Sequence, residues 1–249
     1  MTSDTLVVDV TQDWAVACDV QQGFMEHSDR GIDTLSYSAR CRQMRELGGD
    51  FYDFMTLPHN QLALAIGDAS GKGLPAALMI ANVQSSLRTA ALFAGNDGPE
   101  MLGKVNRQVH ASSLADRYAT VFHGVFDGAT RVLRYVNAGH NPPMVLRRDK
   151  TSLSLETGGM PVGLFSSSRY EQGTVQVYPG DVIIACTDGV IETVNPAGEE
   201  WGIEGLRKTA GESITQCTEE IVQSIFTAMD EFSRGQQRDD ETVVVVRVH

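Results

Sequence analysis

Apolar residues along this chain fall into many short, strand-sized runs separated by turns rich in Gly, Pro and Asp. Leu62-Ala63-Leu64-Ala65-Ile66 is continuous, the pattern of a strand buried on both faces, and it stops at Gly67-Asp68. Looser alternation predicts strands over 33–40, 49–57, 118–126, 131–137, 144–147, 152–156, 173–178, 181–186 and 242–248. Helical spacing takes over elsewhere. Trp14, Val16, Val20 and Phe24 predict a helix over 12–25, either capping the domain or joining it to something else. Leu74, Leu78, Ala81, Ser85, Leu87 and Ala91 predict one over 74–93, with Pro75 tolerated in the first turn. Met101, Leu102, Val105 and Val109 give a third over 99–111. Two more are expected at 203–211 and 217–233, the latter from the stripe Ile221, Val222, Ile225, Phe226, Met229 and Phe232.

The strands are numerous and mostly consecutive, and Asp127-Gly128, Gly158-Gly159 and Pro179-Gly180 are turn signals that favour antiparallel hairpins. The helices sit between groups of strands. This is an α+β pattern, most simply two packed antiparallel β-sheets flanked by helices, and not a doubly wound βαβ sheet. Residues 1–29 are expected to form a helical lead-in or linker, and 30–249 one domain.

Composition narrows the functional classes. A chain of 249 residues with 42% hydrophobic and 21% charged residues has an ordinary globular make-up. Its net charge of −12 argues against nucleic acid or an anionic membrane as the main partner. Cys18, Cys41, Cys186 and Cys217 are far apart, with no C-x-x-C pair, so neither a disulfide framework nor a zinc site is expected. No signal peptide pattern opens the chain and no apolar run is long enough to span a bilayer. The expectation is a soluble cytoplasmic protein without membrane insertion.

The chemistry lies in four acidic positions spread over about 190 residues: Gly48-Gly49-Asp50, Gly67-Asp68, Thr187-Asp188-Gly189 and Asp239-Asp240. Taken alone, Asp50 and Asp68 each read more readily as turn residues, and no one of the four sites suffices by itself. Asp188 follows the run 182–186, however, and Asp239 precedes the run 243–246. In an antiparallel sheet the end of one strand lies beside the start of its neighbour, so acids at those ends can face one point. Converging carboxylates suit hard divalent cations such as Mg²⁺ and Mn²⁺. On the 49–57 strand, period 2 puts Asp50 and Tyr52 on one face and Phe51 and Asp53 on the other. Residues Gly67 to Gly73 lack the spacing of a nucleotide-binding P-loop.

Taken in order, Gly48-Gly49-Asp50-Phe51-Tyr52-Asp53, the segment Gly67-Asp68-Ala69-Ser70-Gly71-Lys72-Gly73-Leu74-Pro75-Ala76-Ala77, Asn137-Ala138-Gly139-His140-Asn141-Pro142-Pro143, Thr187-Asp188-Gly189 and Asp239-Asp240-Glu241-Thr242 resemble the motifs of bacterial PPM (PP2C-type) serine/threonine phosphatases. The branch most similar is that of the RsbU and sporulation stage II E phosphatases. Val20-Gln21-Gln22-Gly23-Phe24-Met25 resembles the helix end that precedes the domain in that branch.

The resemblance implies an α-β-β-α sandwich and a site for two Mn²⁺ or Mg²⁺ ions held by Asp50, Asp68, the backbone carbonyl of Ala69, Asp188 and Asp239. Asp240, Asp53, His140 and Asn141 would be neighbours of the site and not ligands. Ala69 stands where eukaryotic relatives carry glycine, which matters only if the position needs a positive φ. Arg45 lies at an offset like that of the phosphate-holding arginine of eukaryotic relatives, a residue this branch generally lacks. His140 reads either as a general acid or as a structural turn residue, and Lys72 either as a substrate contact or as an exposed loop lysine; His123 reads as packing. The implied activity is hydrolysis of a phosphoserine or phosphothreonine ester, on a phosphorylated anti-anti-sigma (STAS) regulator in a partner-switching pathway. A homodimer through residues 12–25 is implied as well. The alternatives are a non-catalytic phosphatase-like binding module and a different two-metal hydrolase; the acidic balance counts against a nuclease.

Overall fold

In the computed structural model the described residues are 10–25, 32–93, 97–114 and 116–249. They form six helices, α1 (Val10–Met25), α2 (Leu74–Ala91), α3 (Gly98–Ser112), α4 (Asp188–Ile191), α5 (Gly202–Glu212) and α6 (Thr218–Ser233). The strands of one sheet run β1-β11-β10-β6-β7, where β1 is Leu35–Arg42, β6 Met144–Leu146, β7 Ser152–Ser154, β10 Val182–Cys186 and β11 Glu241–Val248. The other runs β2-β3-β4-β5-β8, with β9 also on β5; here β2 is Asp50–Leu57, β3 Gln61–Ala69, β4 Ala119–Asp127, β5 Val132–Ala138, β8 Gly158–Gly159 and β9 Gly173–Gln176.

Three apolar layers hold the sandwich together. Leu62, Leu64 and Ile66 of β3 point at Ile183 and Ala185 of β10 and Val244 and Val246 of β11, filling the space between the sheets. On the other face of β3, the small Ala65 and Ala69 leave room for α2 and α3, whose Ile80, Val83, Leu102 and Val105 cover it. Val243 and Val245 face outward from β11, under Ile221, Ile225 and Phe226 of α6. Where central strands are buried on both faces, as in β10, Leu62–Ile66 of β3 and Val243–Val246 of β11, the sequence therefore runs apolar without alternation.

The α-β-β-α expectation holds, with three corrections. Gly158-Gly159, read as a turn, forms β8, and it pairs with β5 in parallel, so that sheet is mixed. Asp188–Ile191, where no helix is expected from the sequence, winds into the short α4. In α2 the inward face is Ala76, Met79, Ile80, Val83, Leu87 and Ala91, while Leu74 and Leu78 are exposed. This helix carries apolar residues all round, so spacing alone does not choose its buried face; the small Ala76 fits against the sheet where Leu78 does not.

The end of α1 is fastened to the domain by polar contacts. Gln21 is buried; its Nε2 donates to the Gly48 carbonyl (2.8 Å) and its Oε1 accepts from the Gly48 N–H (3.1 Å) and from Gln43 Nε2 (2.9 Å). Gln84 of α2 donates to the Phe24 carbonyl (2.9 Å). Among the described residues, no helix is long and apolar enough to cross a membrane.

Candidate metal centre

Strand register builds the site. In the second sheet Asp50, the first residue of β2, stands opposite Asp68 near the end of β3. In the first sheet the antiparallel β10–β11 pair sets Cys186 beside Val243, so Thr187-Asp188 and Asp239-Asp240 leave at the same end. The two sheets then meet at this edge. Thr187 Oγ1 (2.8 Å) and Thr242 Oγ1 (2.6 Å) both donate to Asp50 Oδ2, and Thr242 N–H donates to Thr187 Oγ1 (3.0 Å). Gly189 lies so close to the Asp239-Asp240 turn that a Cβ there would sit 2.1 Å from the Asp240 carbonyl oxygen. Only glycine lets the start of α4 approach the start of β11 this closely.

The electrostatics are those of crowded acids. Burial raises the Asp50 carboxyl to about 8, helped by Asp240 and Asp188 and opposed by the two threonine hydroxyls. Asp68 rises to about 9, first from burial and then from repulsion by Asp50, Asp188, Asp239 and Asp240. Asp188 is pushed up by burial and Asp239, against the pull of the Gly189 N–H and Lys72. Each acid makes its neighbours harder to ionise, a strain that a dication among them would relieve.

Four carboxylates and the Ala69 carbonyl are a hard-oxygen donor set, the kind Mg²⁺ and Mn²⁺ take. Ala69 is not among the residues with positive φ, so an alanine is accommodated there without strain. Its N–H donates to Gly49 O (3.0 Å), which ties the β3 end to the residue before Asp50. The donors are assembled without being closed around one point: among the described residues, no three His, Cys, Asp or Glu side chains form a ready ligand group. Asp239 is turned toward Lys72, whose Nζ pairs with its Oδ2 and also donates to the Arg238 carbonyl (3.2 Å).

The structure sorts the remaining candidates. Asp240 latches the loop ahead of Asp50: its Oδ1 accepts from Met44 N–H and its Oδ2 from Gly49 N–H, both at 2.7 Å. Asp53 lies on the opposite face of β2 from Asp50, under α2, where it pairs with Arg88 (2.9 Å). It is therefore not in the acidic pocket, in line with the period of a strand. His140 sits in a turn: Asn137 Oδ1 accepts its N–H (2.7 Å), Asn137 Nδ2 donates to its carbonyl (3.0 Å), and its Nδ1 meets Thr120 Oγ1 (3.0 Å). Burial lowers its imidazole to about 4, so it is neutral at pH 7. Thr120 is the register partner of Asp68, so His140 supports the β3–β4 end from beneath. Asn141 follows it, half-buried. His123 is buried in β4 and lowered to about 4 in the same way. Arg45 lines a cavity of about 420 Å³ beside the Lys72–Pro75 turn.

Lys72 is thus more than the exposed loop lysine that sequence alone allowed. Its loop is pinned by Ser70, whose carbonyl accepts from Arg117 (3.0 Å) and whose Oγ accepts from Tyr118 N–H (3.1 Å), with Gly71 at φ 96°. Sequence reasoning passed over Thr187, Thr242 and the contacts of Gln21. The available signal was adjacency, since both threonines lie within three residues of the acids in Thr187-Asp188 and Asp239-Asp240-Glu241-Thr242.

Residues 58–249 match the family model described as "Stage II sporulation protein E (SpoIIE)". The chain belongs to the SpoIIE family. The matched stretch includes Asp68, Asp188 and Asp239, and Asp50 lies just ahead of it. The chain is 27% identical over 235 residues to the phosphoserine phosphatase RsbU of Bacillus subtilis, covering 93% of this chain and 69% of RsbU. It spans only 36% of the length of another curated relative. Its fold is that of PP2C phosphatases. The SiaA-PP2C domain of Pseudomonas aeruginosa superposes with a TM-score of 0.82 at 18% identity, over 96% of this chain and 97% of that one. RsbX, solved in complex with magnesium, gives a TM-score of 0.66 at 15% identity over 87% of this chain and 96% of RsbX.

Proposed function

We propose that this SpoIIE-family chain is a cytoplasmic, metal-dependent phosphoprotein phosphatase. Its substrate is a phosphoserine or phosphothreonine ester, carried by a phosphorylated anti-anti-sigma (STAS) regulator of a partner-switching pathway. The observation that carries the reading is the register: Asp50 opposite Asp68 in one sheet, with Asp188 and Asp239 at the adjoining strand ends of the other. Asp50, Asp68, the Ala69 carbonyl, Asp188 and Asp239 would hold two Mn²⁺ or Mg²⁺ ions. When bound, such ions supply an activated water and neutralise charge on the phosphoryl oxygens.

The chain's own residues do the rest. Asp68, the register partner of Asp50, would be the ligand shared between the two ions. Asp240 holds the Met44–Gly49 loop, and so the backbone leading into Asp50. The thiols of Cys41 and Cys186 are pushed up by burial, and further by Asp50 for Cys41 and by Asp188 and then Asp50 for Cys186, which keeps them protonated and removes them as nucleophiles. Val16, Val20 and Phe24 form an exposed stripe on α1 at helical spacing, which supports self-association through residues 12–25.

Asp188→Asn and Asp239→Asn are each expected to reduce Mn²⁺-dependent hydrolysis of p-nitrophenyl phosphate to background while the protein melts as the wild type does. Near-wild-type turnover in either variant rejects the site. Phosphorylated STAS proteins, screened as substrates beside nucleotides and oligonucleotides, test the substrate class. A non-catalytic phosphatase-like module is the second reading, favoured by the open ligand arrangement and the Lys72–Asp239 pair. Calorimetric titration with Mn²⁺ separates the two.

A further inference from the structure

Asp50 is the most deeply buried of the four acids, at 2% exposure, and its two oxygens are treated unequally. Oδ2 receives both threonine hydroxyls, at 2.8 Å from Thr187 and 2.6 Å from Thr242. Both threonines are fully buried. The direction of the Thr187 bond is set by its other partner. Its Oγ1 already accepts the Thr242 N–H at 3.0 Å, so its single hydrogen is left to point at Asp50.

Thr187 also gives up an alternative. It is the N-cap residue of α4, a position where a threonine hydroxyl ordinarily accepts a backbone N–H of the first turn, yet it makes no such cap bond. Instead Thr187 N–H donates to the Thr242 carbonyl at 3.1 Å, while Thr242 N–H donates to the Thr187 hydroxyl. The two threonines, Thr187 just past the end of β10 and Thr242 at the start of the neighbouring β11, therefore form a two-pronged clamp that grips an acid of the second sheet.

We propose that Thr187 and Thr242 are positioning residues that make Asp50 a one-oxygen metal ligand: they hold Oδ2 and present only Oδ1 to a divalent cation. The inference rests on the two-metal reading above. It also assigns the clamp a second task, because Thr187 directly precedes Asp188 and Thr242 lies three residues after Asp239. The spacing between the acids of the two sheets is thereby set through the same four atoms. Groups that orient metal ligands from behind typically matter tenfold to a hundredfold in metal affinity.

The test is Mn²⁺ titration by calorimetry on the full chain, with Thr187→Val, Thr242→Val and the serine variant at each position. Valine keeps the shape and removes the hydroxyl; serine keeps the hydroxyl. Each valine variant is expected to bind Mn²⁺ about 10- to 100-fold more weakly, and each serine variant to return to within about threefold of wild type. Melting in EDTA reports the fold separately, and alanine replaces valine at any position where valine does not fold. Valine or alanine variants that bind Mn²⁺ like the wild type overturn the clamp. Equal losses in the serine and valine variants overturn it too, since packing and not the hydroxyl would then be responsible. A wild-type chain that binds no Mn²⁺ at all sinks the metal-centre reading itself, a result distinct from either.

Discussion

Asp50 at the floor of the acidic pocket and Asp239 at its rim carry the same functional group in opposite settings. Asp50 is sealed between the sheets and oriented by two hydroxyls whose own positions are fixed by backbone bonds. The Asp239 side chain is 41% exposed and faces Lys72, whose side chain is 42% exposed. At the floor the protein has already removed water, so geometry is preset and charge is costly. At the rim water screens the charge, and a flexible lysine stands in as partner. On the proposed metal-centre reading, the difference would divide the labour: the floor would define where a cation sits, and the rim would adjust how readily it enters.

Unlatching the floor should have the largest effect. Asp240→Ala removes the acceptors of two N–H groups, Met44 and Gly49, and leaves the Gly49 N–H buried without a partner. The expected cost is about 2–4 kcal/mol of stability, a fall of roughly 5–15 °C in Tm, with Mn²⁺ affinity falling as well because the lead into Asp50 loosens. An Asp240→Ala protein that melts and binds Mn²⁺ as the wild type does would show that the loop holds itself.

An intermediate effect is expected from pH. The folded-state values of Asp50 and Asp68, about 8 and about 9, lie above the ordinary carboxylate value of 3.8. Between about pH 4 and 9 the folded chain therefore holds protons that the unfolded chain has released, and stability falls as pH rises through that window. His123 and His140, lowered to about 4, act in the opposite direction below their ordinary value of 6.5, so the unobscured range is from there to about 9. In EDTA, Tm should decline over this range, and saturating Mn²⁺ should flatten the slope by holding the carboxylates ionised. A flat profile in EDTA would mean the floor is wetter than its burial indicates.

The smallest effect belongs to the rim. Lys72→Met removes a cation that competes for Asp239, so Mn²⁺ should bind about three- to tenfold more tightly, the range expected for one partly screened unit charge. Lys72→Arg should behave like the wild type in the same titration. Weaker binding in Lys72→Met would instead make the lysine a brace that holds the acids in place.

Much of the fold was legible from the chain because its information is local. A continuous apolar run such as 62–66 can only be a strand covered on both sides or a buried helix turn, and the flanking Gly67-Asp68 decides for the strand. The period of β2 likewise separated Asp50 from Asp53 before any coordinates, and the structure puts Asp53 under α2 with Arg88. The face of α2 was not legible, because a helix apolar all round leaves the choice to whichever residues fit the sheet. Nor was β8, since a Gly-Gly pair carries the same local signal whether it turns or pairs.

The order of the acidic motifs, and hence the candidate ligands Asp50, Asp68, Asp188 and Asp239, was contained in the sequence by itself. Residue types and their positions at strand ends are written along one dimension. Tertiary structure alone decided what each acid meets: the threonine clamp on Asp50, the Asp240 latch on Met44 and Gly49, and the lysine across Asp239. Those contacts join residues 137 to 196 positions apart. Hydrogen-bond direction and burial at such separations depend on register and sheet packing, which no local pattern encodes.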